Sequence, residues 1–195
     1  ISVVLPVEEV FPVSSLVVER LQALAEASDL DALVSLSPEN VAYSAGFVIP
    51  SQPLMRWRHA AHVVTRAGAE AMLCVDMEET TVRAARPDVE LAVWAEFTGE
   101  AMATLAELLA SLGLGQGRVG VELRYLSAAD RDRLVELLPG IRLVAADDLF
   151  TRARGIKSAS EIELLERLSR ISDRAIRDAL CSVRAGDTEM DIAAA

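Results

Sequence analysis

Arg56, Trp57 and Arg58 place two cations around an aromatic ring, in a stretch that Pro50 and Pro53 mark as a loop. A guanidinium group can bind a carboxylate through two parallel hydrogen bonds, and an indole ring offers a flat surface for stacking. This combination predicts contact with a ligand. The alternative is a solvated loop in which Trp57 folds back on the protein surface.

His59 and His62 form an H-x-x-H pattern, which could supply two ligands to a metal ion. A zinc site needs a further ligand in firm geometry, and the sequence has neither an HExxH motif nor two closely spaced cysteines. The pattern therefore favours ordinary histidines in a loop or at a strand end. We expect no metal site and no bound cofactor in this chain.

Gly115, Gly117 and Gly120 spell G-x-G-x-x-G, the spacing of dinucleotide-binding loops. Such a loop follows a strand and opens a helix, so that the amides at the start of the helix point at phosphate. Here the pattern predicts a helix before the glycines and a strand after them. Because this order is reversed, we interpret the glycines as an ordinary turn from helix to strand.

Three acidic doublets could supply paired carboxylates for acid–base chemistry: Glu8-Glu9, Glu78-Glu79 and Asp147-Asp148. The last two lie where helices are predicted to begin, and acidic side chains stabilise that end of a helix dipole. We therefore expect capping or solvated carboxylates. The sequence has no G-x-S-x-G motif, and Cys74 lies in an apolar run, so no catalytic residue is predicted.

The composition narrows the classes of partner. A formal net charge of −11 argues against nucleic acid, because such binding depends on Lys and Arg that neutralise phosphates. The sequence has no run of about 18 apolar residues, the length that would predict a membrane span. The start of the chain lacks the basic region of a signal peptide. Cys74 and Cys181 are too few and too far apart for a disulfide framework, and the sequence predicts a cytoplasmic protein.

Hydrophobic periodicity predicts alternating helices and strands in the first three quarters of the chain. Helices are expected over 16–27, 78–86 and 98–112, in a short turn after Ser37, and after Ser127 and Asp147. Strands are expected over 32–36, 62–65, 71–75, 90–94, 119–121 and 141–144. A turn at 67–69 makes the second and third strands a hairpin. This order predicts a three-layer α/β domain with a mixed sheet.

The pattern changes near Gly155. Ser158 and Glu161 form a capping box before a helix expected over 159–185. Its apolar face is formed by Ile162, Leu165, Leu168, Ile171, Ala175, Ala179 and Val183. Thr188 opens a further helix. We place a domain boundary after Arg154, which separates residues 1–154 from 155–195.

A second basic cluster lies at this junction: Arg152, Arg154 and Lys157. Its position predicts ion pairs between the two domains, or contact with solvent. The helix over 159–185 has an apolar face along most of its length. An apolar face of this length is unfavourable in water and favours association. We expect this face to be covered, with a homodimer through the helix as the favoured arrangement.

Three stretches together resemble the creatinase/prolidase/Xaa-Pro aminopeptidase family of pita-bread hydrolases. The first, Arg20 to Phe47, is similar to the opening helix, first strand and Tyr-x-x-Gly-Phe turn of the family. The second is the RVGVE segment at Arg118 to Glu122. The third, Arg152 to Ala195, is similar to the entry into the catalytic domain.

The resemblance implies an amino-terminal domain of ribonuclease-H-like fold, followed by the first helices of a pita-bread catalytic domain. It implies that this domain shapes the substrate pocket and mediates dimerisation, and that the chain alone is not catalytic. Substrate contacts are then expected at Arg56, Trp57 and Arg58, with Tyr43 and Phe47 in the turn before them. The peptidases of the family use two divalent metal ions (Mn, Co or Zn), with all ligands in the catalytic domain and none in this chain.

Two alternatives remain for the function. The parent could be a creatinase-like hydrolase that acts on an amidine or cyclic amide instead of a small peptide. The chain could also be a peptide- or histone-binding module without catalysis, which the acidic net charge permits. No acidic tail or groove for a basic partner is evident in the sequence.

Overall fold

The computed structural model describes residues 15–194. The Glu8-Glu9 doublet and the start of the chain lie outside these residues. The helices are α1 (Ser15–Ala27), α2 (Pro38–Ala45), α3 (Glu79–Ala85), α4 (Ala101–Ser111), α5 (Ala128–Leu137), α6 (Asp147–Gly155), α7 (Ala159–Ser182) and α8 (Glu189–Ala194). The strands are β1 (Ala32–Ser35), β2 (Ala61–Thr65), β3 (Glu70–Val75), β4 (Glu90–Trp94), β5 (Arg118–Val121) and β6 (Arg142–Ala145).

The six strands form one mixed sheet in the order β4-β3-β2-β1-β5-β6. β2 runs antiparallel to β1 and β3, whereas the pairs β3–β4, β1–β5 and β5–β6 are parallel. β2 is therefore the single strand that runs against the other five. The carboxyl ends of those five strands and the start of β2 meet at one edge of the sheet.

Helices cover both faces of the sheet, which confirms the predicted three-layer α/β class. On one face α4 and α5 pack on the sheet through a cluster that includes Leu105, Leu109 and Leu134. On the other face α1 and α6 pack around Leu21 and Phe150, while α2 and α3 form a separate cluster. A further member of that separate cluster is Met72 of β3.

Gly115 and Gly117 lie between α4 and β5, as predicted. Gly120 is inside β5, and a Cβ atom there would lie 2.7 Å from Leu33 Cδ2 and 2.8 Å from Leu30 Cδ1. Real Cβ atoms do not approach carbon atoms so closely, so this position needs glycine for packing. The segment has no geometry for a dinucleotide.

The predicted helix ends are wrong in two places. The predicted helix over 98–112 begins three positions later, at Ala101, with Glu100 as its N-cap. The predicted helix over 159–185 ends at Ser182, because Val183 has an extended backbone with ψ of 134°. The predicted capping box is confirmed: Ser158 Oγ accepts from the Glu161 amide, and the Glu161 carboxylate accepts from the Ser158 amide.

The chain divides into two compact units between Arg154 and Gly155. The second unit contains α7 and α8. Within α7 an ion pair joins Glu166 Oε2 and Arg170 Nη2 at 3.3 Å. No residue of α7 is buried, and Ile162, Leu165 and Ile176 are exposed.

Candidate functional site

The loop between Gly46 and β2 lies at the edge of the sheet where five strands end. Gly46 closes α2 in a left-handed conformation, with φ of 82°, and its amide donates to the Ala42 carbonyl. Glycine adopts this conformation without the strain that a side chain would add. The chain leaves α2 at this point and passes through Trp57 before it enters the sheet at Ala61.

Buried polar side chains attach the loop to the domain near its start. The Ser51 amide donates to Glu78 Oε1 at 2.8 Å, and Gln52 Nε2 donates to the Leu36 carbonyl at 2.7 Å. Ser51, Gln52 and Glu78 are all buried. The prediction that Glu78 is a capping or solvated carboxylate is therefore wrong: it makes no cap hydrogen bond and instead binds the loop.

The loop is also attached near its end. The buried Trp94 donates from Nε1 to the His59 carbonyl at 2.9 Å. Arg58 Nε lies 2.7 Å from Glu96 Oε1, and both side chains are largely covered, with 16% and 12% of their surface exposed. This ion pair joins the loop to the segment between β4 and α4. Because both ends are held, the loop presents a defined surface.

Arg56 and Trp57 are both exposed. Arg56 Nη2 donates to the Tyr125 carbonyl at 2.7 Å, and its guanidinium carbon lies 5.2 Å from the centre of the Tyr125 ring. Arg56 has no carboxylate partner among residues 15–194. The Trp57 side chain is 64% exposed and does not fold back on the surface. Arg56, a cation without a carboxylate partner, is thus followed in the sequence by the exposed aromatic side chain of Trp57.

The three basic and aromatic residues of the loop therefore differ in what they can do. Arg56 and Trp57 are available to a ligand, whereas Arg58 is committed to Glu96. Phe97, which follows Glu96, is 91% exposed and was not predicted from the sequence as part of the site. The sequence signal for Phe97 is only its aromatic type in a polar stretch after β4.

Tyr43 and Phe47 lie in the turn that resembles the family motif, and both contact the domain itself. Tyr43 Oη donates to the Ala153 carbonyl at 2.9 Å and accepts from Arg20 Nη1 at 2.5 Å. Phe47 is buried in the cluster with Met72. These contacts fix the end of α2, from which the loop begins, and a direct role of either residue toward a ligand stays a prediction.

Glu122 has a structural role that its sequence pattern did not predict. It is buried, and its Oε2 accepts from the amides of Leu36 and Ser37 at 2.6 and 2.8 Å. Its Oε1 accepts from Asn40 Nδ2 at 2.6 Å. Glu122 thus binds the start of α2 to the end of β5. The only sequence signal was its place in the RVGVE segment.

Arg154 extends this network. Its Nη1 donates to Asn40 Oδ1 at 3.1 Å, a contact within the first unit that the predicted role at the junction did not include. Asp147 has a related role, because its Oδ1 accepts from the Arg124 amide at 3.1 Å. The first contact attaches α6 to α2, and the second attaches it to the segment that follows β5.

The two histidines do not converge on one point. His59 Nε2 lies 3.7 Å from Asp130 Oδ2, and burial lowers its pKa against the opposing effect of that carboxylate. His62 is buried in β2 with Nε2 3.1 Å from Glu70 Oε2. Across residues 15–194 no three His, Cys, Asp or Glu side chains are grouped as a metal ion would require. The donor set present here does not fit a metal centre.

No helix within the described part of the chain is long and apolar enough to cross a membrane. Cys74 is buried and Cys181 is exposed, and neither forms a disulfide. Burial raises the pKa of the Cys74 thiol to about 12, so this group is neutral at physiological pH. Cys74 is a core residue, as predicted.

The sequence is similar to that of a known protein. The chain is 25% identical over 175 residues to an uncharacterized peptidase of Bacillus subtilis, a match that covers 90% of this chain and 46% of that protein. The chain therefore spans about half the length of the curated relative it matches.

Solved structures share the fold. An X-Pro aminopeptidase from Thermotoga maritima matches with a TM-score of 0.71 and 19% identity, over 91% of this chain and 46% of that one. An Xaa-Pro dipeptidase from Bacillus anthracis matches with a TM-score of 0.68 and 17% identity, over 91% and 46%. The amino-terminal domain of the cytoplasmic peptidase PepQ from Mycobacterium tuberculosis matches with a TM-score of 0.57 and 23% identity, over 71% and 98%.

The family described as the Creatinase/Prolidase N-terminal domain matches residues 18–156, which extend from α1 to the end of α6. This match includes the whole sheet, the loop with Trp57 and the Glu122 network. The chain belongs to the Creatinase/Prolidase N-terminal domain family.

Proposed function

We propose that this chain is the non-catalytic amino-terminal part of an Xaa-Pro peptidase-like hydrolase, in which it shapes the substrate pocket and mediates dimerisation. Family membership supports the class of protein. The observation that carries the proposed role is the attached loop at the carboxyl edge of the sheet, which keeps Trp57 exposed and Arg56 without a carboxylate partner.

The loop chemistry suits a small peptide. In the proposal, Arg56 binds the carboxylate of the substrate and Trp57 stacks on an apolar ring such as that of proline. Arg58 keeps the loop in place through Glu96. Tyr43 and Phe47 support the start of the loop, and their predicted contacts with substrate belong to the same proposal.

In the proposal, hydrolysis belongs to the catalytic domain of the whole protein, of which the 195-residue chain contains only the first helices. The proposal gives that domain two divalent metal ions, which would activate water for attack on the peptide bond. Among residues 15–194 no three His, Cys, Asp or Glu side chains are grouped as those metal ions would require. The second unit, residues 155–195, is then the beginning of the catalytic domain. Free cysteines and a relative named as cytoplasmic support a cytoplasmic location.

The relative rates of hydrolysis of three substrates test the proposal. A protein that carries this domain together with its catalytic domain is assayed with an Xaa-Pro dipeptide, with the carboxyl-terminal amide of that dipeptide, and with creatine. We expect hydrolysis of the dipeptide and slower hydrolysis of the amide, with the difference reduced in Arg56→Ala. Preference for creatine would support the creatinase-like alternative, and no activity on any of the three would contradict the proposed class.

A further inference from the structure

His62 is buried next to charged groups but is only half satisfied. Its side chain has no exposed surface. Nε2 lies 3.1 Å from Glu70 Oε2, whereas Nδ1 has no hydrogen-bond partner within the part of the chain that the structure describes. Since a carboxylate only accepts hydrogen bonds, Nε2 carries the proton and Nδ1 is a bare acceptor in the neutral ring.

Glu70 links His62 to the end of α2. The same Oε2 atom accepts from Arg86 Nη2 at 2.8 Å, and Arg86 Nη1 donates to the Ala45 carbonyl at 3.0 Å. Ala45 is the last residue of α2, and its carbonyl is one of those that a helix end leaves without an intrahelical partner. The contacts thus run from His62 through Glu70 and Arg86 to the point where the loop begins.

Protonation of His62 in this position is unfavourable. A second N–H at Nδ1 would be buried without an acceptor, and the charge of Glu70 is already balanced by Arg86. Burial is the largest cause of the lowered pKa of His62, and it outweighs the raising effect of Glu70. Cys74 on this face of the sheet is neutral, and the charged side chains around it are Asp76, Glu78, Glu79 and Arg83. None of these is a cause of the lowered pKa of His62, whose only charged neighbours in that respect are Glu70 and Arg86.

α2 packs against β1 and against β2, the strand that carries His62. Ser44 of α2 and Ser35 of β1 share a hydrogen bond of 2.7 Å between their hydroxyl oxygens, and Ser35 Oγ also donates to the His62 carbonyl at 3.1 Å. Both serines are buried. These contacts join the end of α2 to β1 and, through Ser35, to the backbone of His62.

We propose that His62, Glu70 and Arg86 form an acid-sensitive catch that holds the end of α2, and with it the start of the loop at residues 46–49. At neutral pH the ring is neutral and the catch is closed. In the open state the ring is solvated and takes up a proton near its ordinary pKa of 6.5. Because the closed state binds that proton more weakly, acid shifts the equilibrium toward the open state. The inference does not depend on the proposed peptidase role.

The pH dependence of the equilibrium between the closed and open states follows from the binding of one proton to His62. The stabilisation from the neutral ring is fully present above pH 6.5 and is lost as the pH falls from 6.5 toward the lower pKa of the closed state. Over that interval the equilibrium constant for opening rises up to about tenfold for each pH unit. The increase stops below the pKa of the closed state.

Hydrogen exchange tests the catch in the whole 195-residue chain. Amide protection of residues 41–49, corrected for the intrinsic pH dependence of exchange, is compared between pH 7.5 and 5.5, with residues 128–137 of α5 as the internal reference. We expect a selective loss of protection of up to about tenfold in residues 41–49. An equal loss in both segments, or no loss in either, would overturn the proposal.

Variants of the two histidines provide the control. His62→Gln should abolish the pH dependence of protection in residues 41–49, even if its overall protection is lower. His59→Gln should retain it, because His59 pairs with Asp130 outside the catch. The same pH dependence in His62→Gln would overturn the proposal. If His62→Gln does not fold, NMR titration of the wild-type histidines decides: a His62 pKa at or above 6.5 would contradict the catch.

Discussion

Glu122 Oε1 lies 2.6 Å from Asn40 Nδ2, although the two residues are 82 positions apart in the sequence. The same carboxylate accepts from the two amides that precede α2, so one buried side chain satisfies the start of a helix from a different strand. The catch at His62 holds the other end of α2. This short helix is therefore fixed at both ends by charged side chains, and the loop with Arg56 and Trp57 begins where it stops.

Replacement of Glu122 by Gln should destabilise the domain. The amide has only one acceptor oxygen, and its NH2 group would face a backbone amide or the Asn40 amide in a buried position. We expect the free energy of unfolding to fall by about 2–3 kcal/mol, measured by urea denaturation. The matched control Glu136→Gln changes an exposed carboxylate and should remain within about 0.5 kcal/mol. Equal stability of the two variants would contradict the role of Glu122.

Glu70 should make the stability of the chain depend on pH in the acid range. The hydrogen bond with His62 is the largest cause that lowers the pKa of Glu70, and the hydrogen bond with Arg86 adds to it. Together they lower this pKa from 4.5 to about 2 against the opposing effect of burial. A depressed pKa stabilises the folded state above pH 4.5, and this contribution is lost as the pH falls from 4.5 toward 2. The stability difference between wild type and Glu70→Gln should therefore decrease over that interval. A difference that stays constant would show that the pKa of Glu70 is not lowered in the folded protein.

The sequence predicted the helices and strands where local signals are strong. α1 has apolar residues at helical spacing, and Ser127 and Ser158 are caps that act on amides three residues away. These interactions are local, so periodicity and capping rules detect them. The hairpin of β2 and β3 has a short turn between apolar runs, and its antiparallel pairing was predicted correctly.

The contacts that position the loop could not be predicted in the same way. Glu78 was expected at a helix start, and only the folded chain places its carboxylate on the Ser51 amide 27 positions away. His62 sits in an apolar run, which does not distinguish a buried ring from one at a strand end. Arg58 was considered a ligand-binding cation together with Arg56, and its pairing with Glu96 depends on the neighbouring strand. Each of these outcomes depends on long-range topology.

Loop variants should reduce substrate use in a protein that carries this domain with its catalytic domain. Arg56→Ala or Trp57→Ala removes a desolvated contact, and we expect kcat/KM to fall roughly tenfold or more. Arg58→Ala should have a smaller effect that Glu96→Gln reproduces, because both variants break the same ion pair. Arg131→Ala, which removes an exposed arginine paired with Asp132, is the control for lost charge. Unchanged kcat/KM in the Arg56 and Trp57 variants would show that these side chains contact solvent and do not contact substrate.

The purified 195-residue chain should hold no stoichiometric divalent metal and should hydrolyse no Xaa-Pro dipeptide. The motivation is chemical: His59 and His62 have separate carboxylate partners, Asp130 and Glu70, and share no third ligand. Elemental analysis after dialysis tests the first statement. One tightly bound zinc, manganese or cobalt ion per chain would contradict it, and loss of that ion in His59→Gln would locate the site.

The apolar face of α7 leads to a prediction about association. Ile162, Leu165 and Ile176 are exposed, and α7 contains no buried residue. Apolar surface is unfavourable in water by about 25 cal/mol per Å2, so a face of several aliphatic side chains drives association. We expect the 195-residue chain to form a dimer through α7, measured by light scattering over a range of concentrations.

Two variants test whether α7 is responsible. Deletion of residues 156–195 should give a folded monomer, because the sheet and its core lie within the first unit. Leu165→Glu, with the exposed Glu163→Gln as the control, should weaken the dimer while leaving the first unit intact, since a charge on the apolar face must lose its hydration when the helices meet. A dimer that survives both changes would place the interface on the first unit. A wild-type chain that is monomeric at all concentrations would contradict association through α7, because the apolar face would then be tolerated in water.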